Sequence, residues 1–379
     1  MKTEQYRWTQ SAGWEPGTPG GLGATANLVI IFGGTSVLKR PDLLEGVRKA
    51  YPNARLFGGS TAGEILDTQV SDDSLVITAV HLEHTELAGA HVDVNQVENS
   101  YQAGERLAHS LDPTGLTHVL VLSDGLKING TDLVAGLTAN LPEGVTITGG
   151  LTGDGTNFKE TLVLLDTTPK RDTVVALGFY GERLKVGFGS LGGWDPFGPE
   201  RLITRSTGNV LYEMDGKSAL ELYKTYLGEH ANGLPATGLL FPLSLRIHEG
   251  STGVVRTILS VDDDRQTMTF AGDVPQGAYA RLMKSNSDRL IDGAIGAAKT
   301  SSVALASSPA DLAILISCVG RKLVLKQRTE EEVEGVRDVL GEGAALTGFY
   351  SYGELSPFGP NTKCELHNQT MTITTFTEI

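Results

Sequence analysis

The residues that could do chemistry in this chain cluster in three glycine-rich loops of similar design. The first reads Gly58-Gly-Ser-Thr-Ala-Gly-Glu64, the second Gly149-Gly-Leu-Thr-Gly-Asp154 and the third Gly348-Phe-Tyr-Ser-Tyr-Gly-Glu354. Each gathers backbone N–H groups, hydroxyls and one carboxylate into a small volume. Open α/β sheets hold their ligands at such strand ends. One loop of this kind would read as a tight turn with capping hydroxyls. Three, each with an acid at the same relative place, predict a shared pocket. Its candidate contacts are Ser60, Thr61, Glu64, Thr152, Asp154, Tyr350, Tyr352 and Glu354. The acids suit a ligand amine, or simply accept backbone N–H bonds. Arg321, just past the run ending in Ser317-Cys318, can bind a ligand carboxylate bidentately or pair with one of those acids.

Two further segments extend the candidate set. Gly189–Pro199, with Trp194, resembles 349–360, and the two share the tetrapeptide PFGP. His367-Asn368 lies in a polar cluster near the C-terminus, which reads as a turn with a hydrogen-bonded histidine or as a ligand contact. A single histidine can also ligate haem, and no CxxCH sequence is present, so such a haem would be non-covalent.

Several familiar chemistries do not fit. Gly187–Gly192 matches GxGxxG, yet Gly193-Trp-Asp-Pro follows it where a helix should open. No GxxxxGK[ST] loop occurs, and Gly58–Ala62 fails as a GxSxG elbow at its last position. His81, His84 and His91 lack HExxH spacing. Cys318 sits in an apolar run, where a thiol is ordinarily buried and inert; an approaching Arg321 would make it more reactive. No complete nucleophile–base–orienter set surrounds Ser60, Thr61 or Cys318, so catalysis ranks last among the readings.

The elements that position these loops are legible in outline. Strand-like runs such as LVIIF (28–32), HVLVL (118–122) and LAILISC (312–318) are each followed by a helix of about three turns and a second strand ending in a glycine loop. Two buried strands joined by a crossover helix favour parallel pairing in a layered arrangement. The expected fold is therefore α/β or mixed α+β, in two lobes of layered β-sheet flanked by helices, built on repeated strand–helix–strand–glycine-loop units. Pro41 is expected to open one helix, and Thr329-Glu-Glu-Glu332 to form a capping box on another. Residues 1–26, rich in Gly and Pro, read as a flexible leading segment. Two domains follow, 27–215 and 216–379, with the boundary inside 210–245.

Composition narrows the functions. The chain has 379 residues and a formal net charge of −14, without a Lys/Arg-rich run, which disfavours nucleic acid. Two cysteines make no disulfide framework, and the His and Cys residues are not spaced for a metal. The N-terminus lacks an apolar signal region, and no run approaches the ~20 residues that span a bilayer. The expectation is a cytoplasmic protein with no membrane insertion.

Taken together, GGSTAGEI (58–65), SDG (123–125), GGLTGD (149–154), SCVGR (317–321), GFYSYGE (348–354) and HNQTM (367–371) resemble the FIST family, over roughly residues 27–376. The resemblance implies a FIST N-terminal domain followed by a FIST C-terminal domain in a bacterial-type signal-transduction sensor. It implies a small ligand, an amino acid or similar polar metabolite, bound without a cofactor. Some members are described as haem-containing nitric-oxide sensors that regulate kinases or cyclic-di-GMP enzymes; here His367 would be the haem ligand. No kinase, methyl-acceptor, GGDEF-type or F-box segment is present, so the expected partner is a separate output protein.

Overall fold

The computed structural model describes residues 1–246, 253–305, 308–359 and 362–379, so Pro360 of the PFGP comparison lies outside the described residues. The fold is mixed α+β, and the described residues form three six-stranded sheets, one eight-stranded sheet and flanking helices. In each six-stranded sheet a strand, a crossover helical segment and a parallel strand form the centre. Leu28–Gly33 pairs with Arg55–Ser60, Leu116–Ser123 with Thr146–Leu151, and Leu312–Cys318 with Ala345–Ser351. An antiparallel strand flanks the first of each pair: Leu75–His81, Thr173–Tyr180 and Met371–Glu378. The first strands of the three pairs are largely continuous aliphatic runs rather than alternating ones because both faces are covered. The strand–helix–strand repeat expected from sequence is the organising unit of the body.

After its second strand, each unit hands a short strand to a neighbouring sheet. Glu64–Leu66 joins the third sheet, Val163–Leu165 the first and Gly353–Pro357 the second. Every sheet both gives and receives, so the exchange closes into a pseudo-three-fold ring. The register agrees in all three: Gly58 lies opposite Leu164, Gly149 opposite Leu355 and Gly348 opposite Ile65. A Cβ at these glycines would fall 1.7 Å from Ile31 O, 1.9 Å from Val121 O and 1.9 Å from Leu315 O. No side chain fits there, which is why glycine opens each loop motif.

Three expectations change. Residues 1–26 are not simply a flexible leader: Lys2–Thr9 runs antiparallel against Leu75–His81 and buries Trp8. Its alternating polar and aromatic residues form a half-buried strand that the nearby Gly and Pro content obscured. The capping box at Thr329 does not form. Thr329 is the first residue of the helix Thr329–Leu340 and caps nothing, while Glu332 turns inward. Pro41, by contrast, opens the helix Pro41–Ala50 as expected.

The third change concerns the lobes. The chain leaves the three-sheet body after Leu191, builds the eight-stranded sheet from Asp195 to Lys284, and returns through the helix Ser287–Val303. That sheet encloses its own core around Leu211, Tyr223, Met268 and Phe270. Two lobes result, and the 215/216 boundary falls inside the smaller one, between the paired strands Val210–Met214 and Lys217–Ser218. The first PFGP segment opens a strand of this smaller lobe, whereas Gly353–Pro357 belongs to the second sheet of the body. The shared tetrapeptide therefore does not mark equivalent positions. Among the described residues, no helix is long and apolar enough to cross a membrane.

Candidate functional site

The three glycine loops meet, and they do so through their backbones. Ala62 N donates to Tyr350 O at 2.8 Å, Tyr352 N to Leu151 O at 3.0 Å, and Gly153 N to Ser60 O at 3.0 Å. Within these three bonds each loop donates once and accepts once, so they close a ring where the three sheets converge. The matching positions are Ser60, Leu151 and Tyr350, followed by Thr61, Thr152 and Ser351.

Most of the predicted contacts are consumed in building this ring. Ser60 is fully buried and its Oγ accepts from Leu162 N at 2.8 Å. The Thr152 hydroxyl donates to Ser123 O at 2.9 Å. Glu64 accepts from the Thr61 hydroxyl and from Ser74 N and Oγ at 3.0 and 2.6 Å. Glu354 repeats this pattern, accepting from Ser351 Oγ at 2.6 Å and from Thr370 N and Oγ at 3.3 and 2.9 Å. These two acids are symmetry mates. Burial outweighs the donated bonds and pushes Glu64 up to about 7 and Glu354 up to about 8.

The acids are not at the same place in all three loops, as the sequence had suggested. Phe349 lies opposite Glu64 and Gly150 opposite Glu354, and in the corresponding register Gly59 lies opposite Val163. Asp154 sits one position earlier in its loop and caps the next turn. It accepts from Phe158 N, Lys159 N and Glu160 N at 2.8–2.9 Å and from the Tyr352 hydroxyl. Tyr352 in turn stacks on Phe158, ring centroids 4.5 Å apart.

Arg321 is not available to a ligand. It is wholly buried, as is Glu332, to which its Nε and Nη2 donate at 3.1 and 2.7 Å. Its Nη1 and Nη2 also donate to the carbonyls of Gly192 and Leu290. Ser317 Oγ and Tyr350 OH complete the shell of Glu332 at 3.1 and 2.7 Å. Arg321 therefore pairs with an acid, but one outside the loops. Trp194 Nε1 donates to Gln369 O at 2.8 Å, and its ring packs with Leu290 and Leu325. Cys318 is buried, and its thiol is pushed up by that burial and by the Glu354 charge, the opposite of activation.

His367 and Asn368 are also interior. His367 Nε2 bonds to Ser356 O at 2.7 Å, and its ring meets Phe358 edge-on at 4.4 Å. Burial holds His367 down to about 4. With its Nε2 taken and its ring covered, His367 does not fit an axial haem ligand. Asn368 is buried, and its Nδ2 bonds back to His367 O at 3.0 Å.

What remains open to solvent is a cleft of about 1100 Å³ on one side of the ring. Thr61–Glu64 of the first loop and Asp154–Asn157 of the second form part of its wall. The third loop does not reach it; the helix Val319–Leu325 contributes Lys322 in its place. Lys322 Nζ donates to Ala62 O at 3.0 Å and pairs with Asp72. Gly63, at φ 138°, leaves the room for that ammonium: a Cβ there would lie 2.3 Å from Nζ. Lys39, paired with Glu160, together with Lys159, Lys326 and Asp73, completes a lining of mixed charge. These residues escaped the sequence reading. Their only signal was proximity to the loops in a fold whose strand exchange could not be read locally.

Comparison with known proteins agrees with this reading of the chain's family. Residues 27–217 match the FIST N domain and 219–357 the FIST C domain, both of them sensory, ligand-binding signal-transduction domains. No curated protein sequence matches. Among solved structures, cyanuric acid hydrolase from A. caulinodans aligns at 10% identity and TM-score 0.33, covering 99% of each chain. A second cyanuric acid hydrolase structure aligns at 9% identity and TM-score 0.29, covering 100% of this chain and 99% of that one. These TM-scores are too low for either likeness to bear on the chemistry of this chain. With both domain matches in order along the chain, the protein belongs to the FIST family.

Proposed function

We propose that this protein is a cytoplasmic sensor of a small zwitterionic metabolite, an amino acid or close relative, that signals through a separate output protein. The proposed ligand site is the cleft beside the loop ring. One observation carries this reading: the cleft intersperses four lysines with five acids around segments of two glycine loops, so it offers both charge signs to one small ligand. Lys326 suits a carboxylate, as does Lys322 on exchanging its Asp72 partner, and Asp73 suits an ammonium group. Small-molecule sites have this character, a concave volume with a few convergent polar groups. The ring itself is proposed as scaffold, since Ser60, Glu64, Thr152, Asp154 and Glu354 already have partners. Its backbone bonds join all three sheets, so a ligand at Thr61–Glu64 would press on an element shared by the whole body.

A thermal-shift screen of amino acids and related metabolites tests the reading, because a ligand that binds only the folded state raises the melting temperature. A hit should lose its shift in Lys322→Ala and Asp73→Asn. No shift with any amino acid at millimolar concentration would remove this ligand class.

A further inference from the structure

Exposed cations in this acidic chain usually face an acid. Lys39 and Arg171 meet Glu160, Lys127 meets Asp172 and Lys224 meets Asp263. Others, such as Lys159 and Lys326, have no ion pair among the described residues, and at one further place two such cations share a cleft with two histidines. His91, Arg106, His109 and Lys170 line a second cleft of about 500 Å³, and none of them forms an ion pair among the described residues.

The four arrive from three separate segments. His91 lies on the edge strand Glu86–Asp93, Arg106 and His109 on the last turn of the helix Ser100–His109, and Lys170 on the connection ahead of the strand Thr173–Tyr180. Arg106 and His109 also complement the negative end of their helix. That accounts for two of the four but not for His91 or Lys170. The one carboxylate in the lining, Asp93, is occupied: its Oδ1 accepts from Asn95 N at 2.9 Å and Asn95 Nδ2 at 3.1 Å, and its Oδ2 from Gln96 Nε2 at 3.5 Å. Those donors are neutral, so Asp93 keeps its charge, but Arg106 and Lys170 outnumber it, and a bound anion offsets the positive charge left over.

We infer that this cleft is a second ligand site, for a small oxyanion bearing two or more negative charges, either a phosphate ester or a polycarboxylate. Its volume lies within the range of small-molecule sites, and Arg106 supplies the planar donor fork that such anions bind. A long polyanion is disfavoured by the chain's overall charge of −14. The two clefts share no lining residue, and the first sets four lysines against five acids where the second sets Arg106 and Lys170 against Asp93 alone. This inference therefore stands apart from the zwitterion reading.

Titration calorimetry with pyrophosphate and, separately, citrate at fixed ionic strength tests it on the full chain. At least one probe should bind saturably at one site, and which of them does so identifies phosphate or carboxylate as the recognised group. Arg106→Ala and Lys170→Ala should each weaken that binding about tenfold, while Lys322→Ala in the first cleft leaves it unchanged. Both positions are exposed, so melting temperatures should match the parent protein's. Saturable binding by neither probe would overturn the inference, as would binding that both second-cleft variants retain or that Lys322→Ala abolishes.

Discussion

Replacing Arg321 with methionine separates a structural arginine from a ligand-binding one. The side chain is fully buried and donates to Glu332 through two nitrogens and to the carbonyls of Gly192 and Leu290. Its removal strands a buried carboxylate whose remaining donors are the Ser317 and Tyr350 hydroxyls. Breaking a buried pair from one side costs about 3–5 kcal/mol, and the two orphaned carbonyls place this case near the upper end. For a chain of 379 residues, unfolding entropy of ~2.1 cal/mol/K per residue turns about 4 kcal/mol into a drop in Tm of about 5 °C. Urea unfolding should report the same loss. The paired variant Arg321→Met/Glu332→Leu strands no charge and should recover about 2 kcal/mol or more. If Arg321→Met costs under about 1 kcal/mol and abolishes metabolite binding, the arginine is a ligand contact and the reasoning fails.

Three other predictions follow from the same structure. Glu64 and Glu354 have folded values of about 7 and about 8, raised from 4.5, so they stabilise the fold at low pH and lose that contribution as pH rises through those values. His118 and His367, held down to about 3 and about 4, act oppositely below 6.5. The net effect is a fall of about 2–3 kcal/mol between pH 6.5 and 8.5, measurable as a falling urea midpoint; Glu64→Gln with Glu354→Gln should flatten it, and a flat parent curve would contradict the assignment. Gly149→Ala, which drives a Cβ into Val121 O, should cost about 3 kcal/mol or more by thermal melting. Gly46→Ala, on an exposed and unobstructed helix face, should instead stabilise by about 0.5–1 kcal/mol.

Local patterns were readable from the sequence, and long-range ones were not. The three strand–helix–strand units announced themselves because apolar runs and helix periodicity are properties of neighbouring residues. The exchange of Glu64–Leu66, Val163–Leu165 and Gly353–Pro357 joins residues more than a hundred positions apart, and short edge strands carry no mark of their destination. Asp195–Thr207 contains two prolines and a glycine and reads as loop, yet it forms the long strand that links the two halves of the smaller lobe's sheet. At the site, the three loops meet through their backbones, but most of their polar side chains turn to partners inside the body, and the third loop does not reach the cleft. An acid three residues from a hydroxyl satisfies itself, as Thr61 with Glu64 and Ser351 with Glu354 show. The partner of Arg321 lay in the supposed capping box, where Glu332 carried a helix-start signal and a buried ion pair's chemistry at once.

Hydrogen exchange with and without a metabolite found by the thermal screen tests the central claim most directly. A ligand in the first cleft should slow exchange at 61–64, 154–157 and 319–323 together, with the largest change at Ala62, whose amide belongs to the ring. Protection confined to other segments, or saturable binding without protection at any of these three, would place the ligand elsewhere and contradict the account.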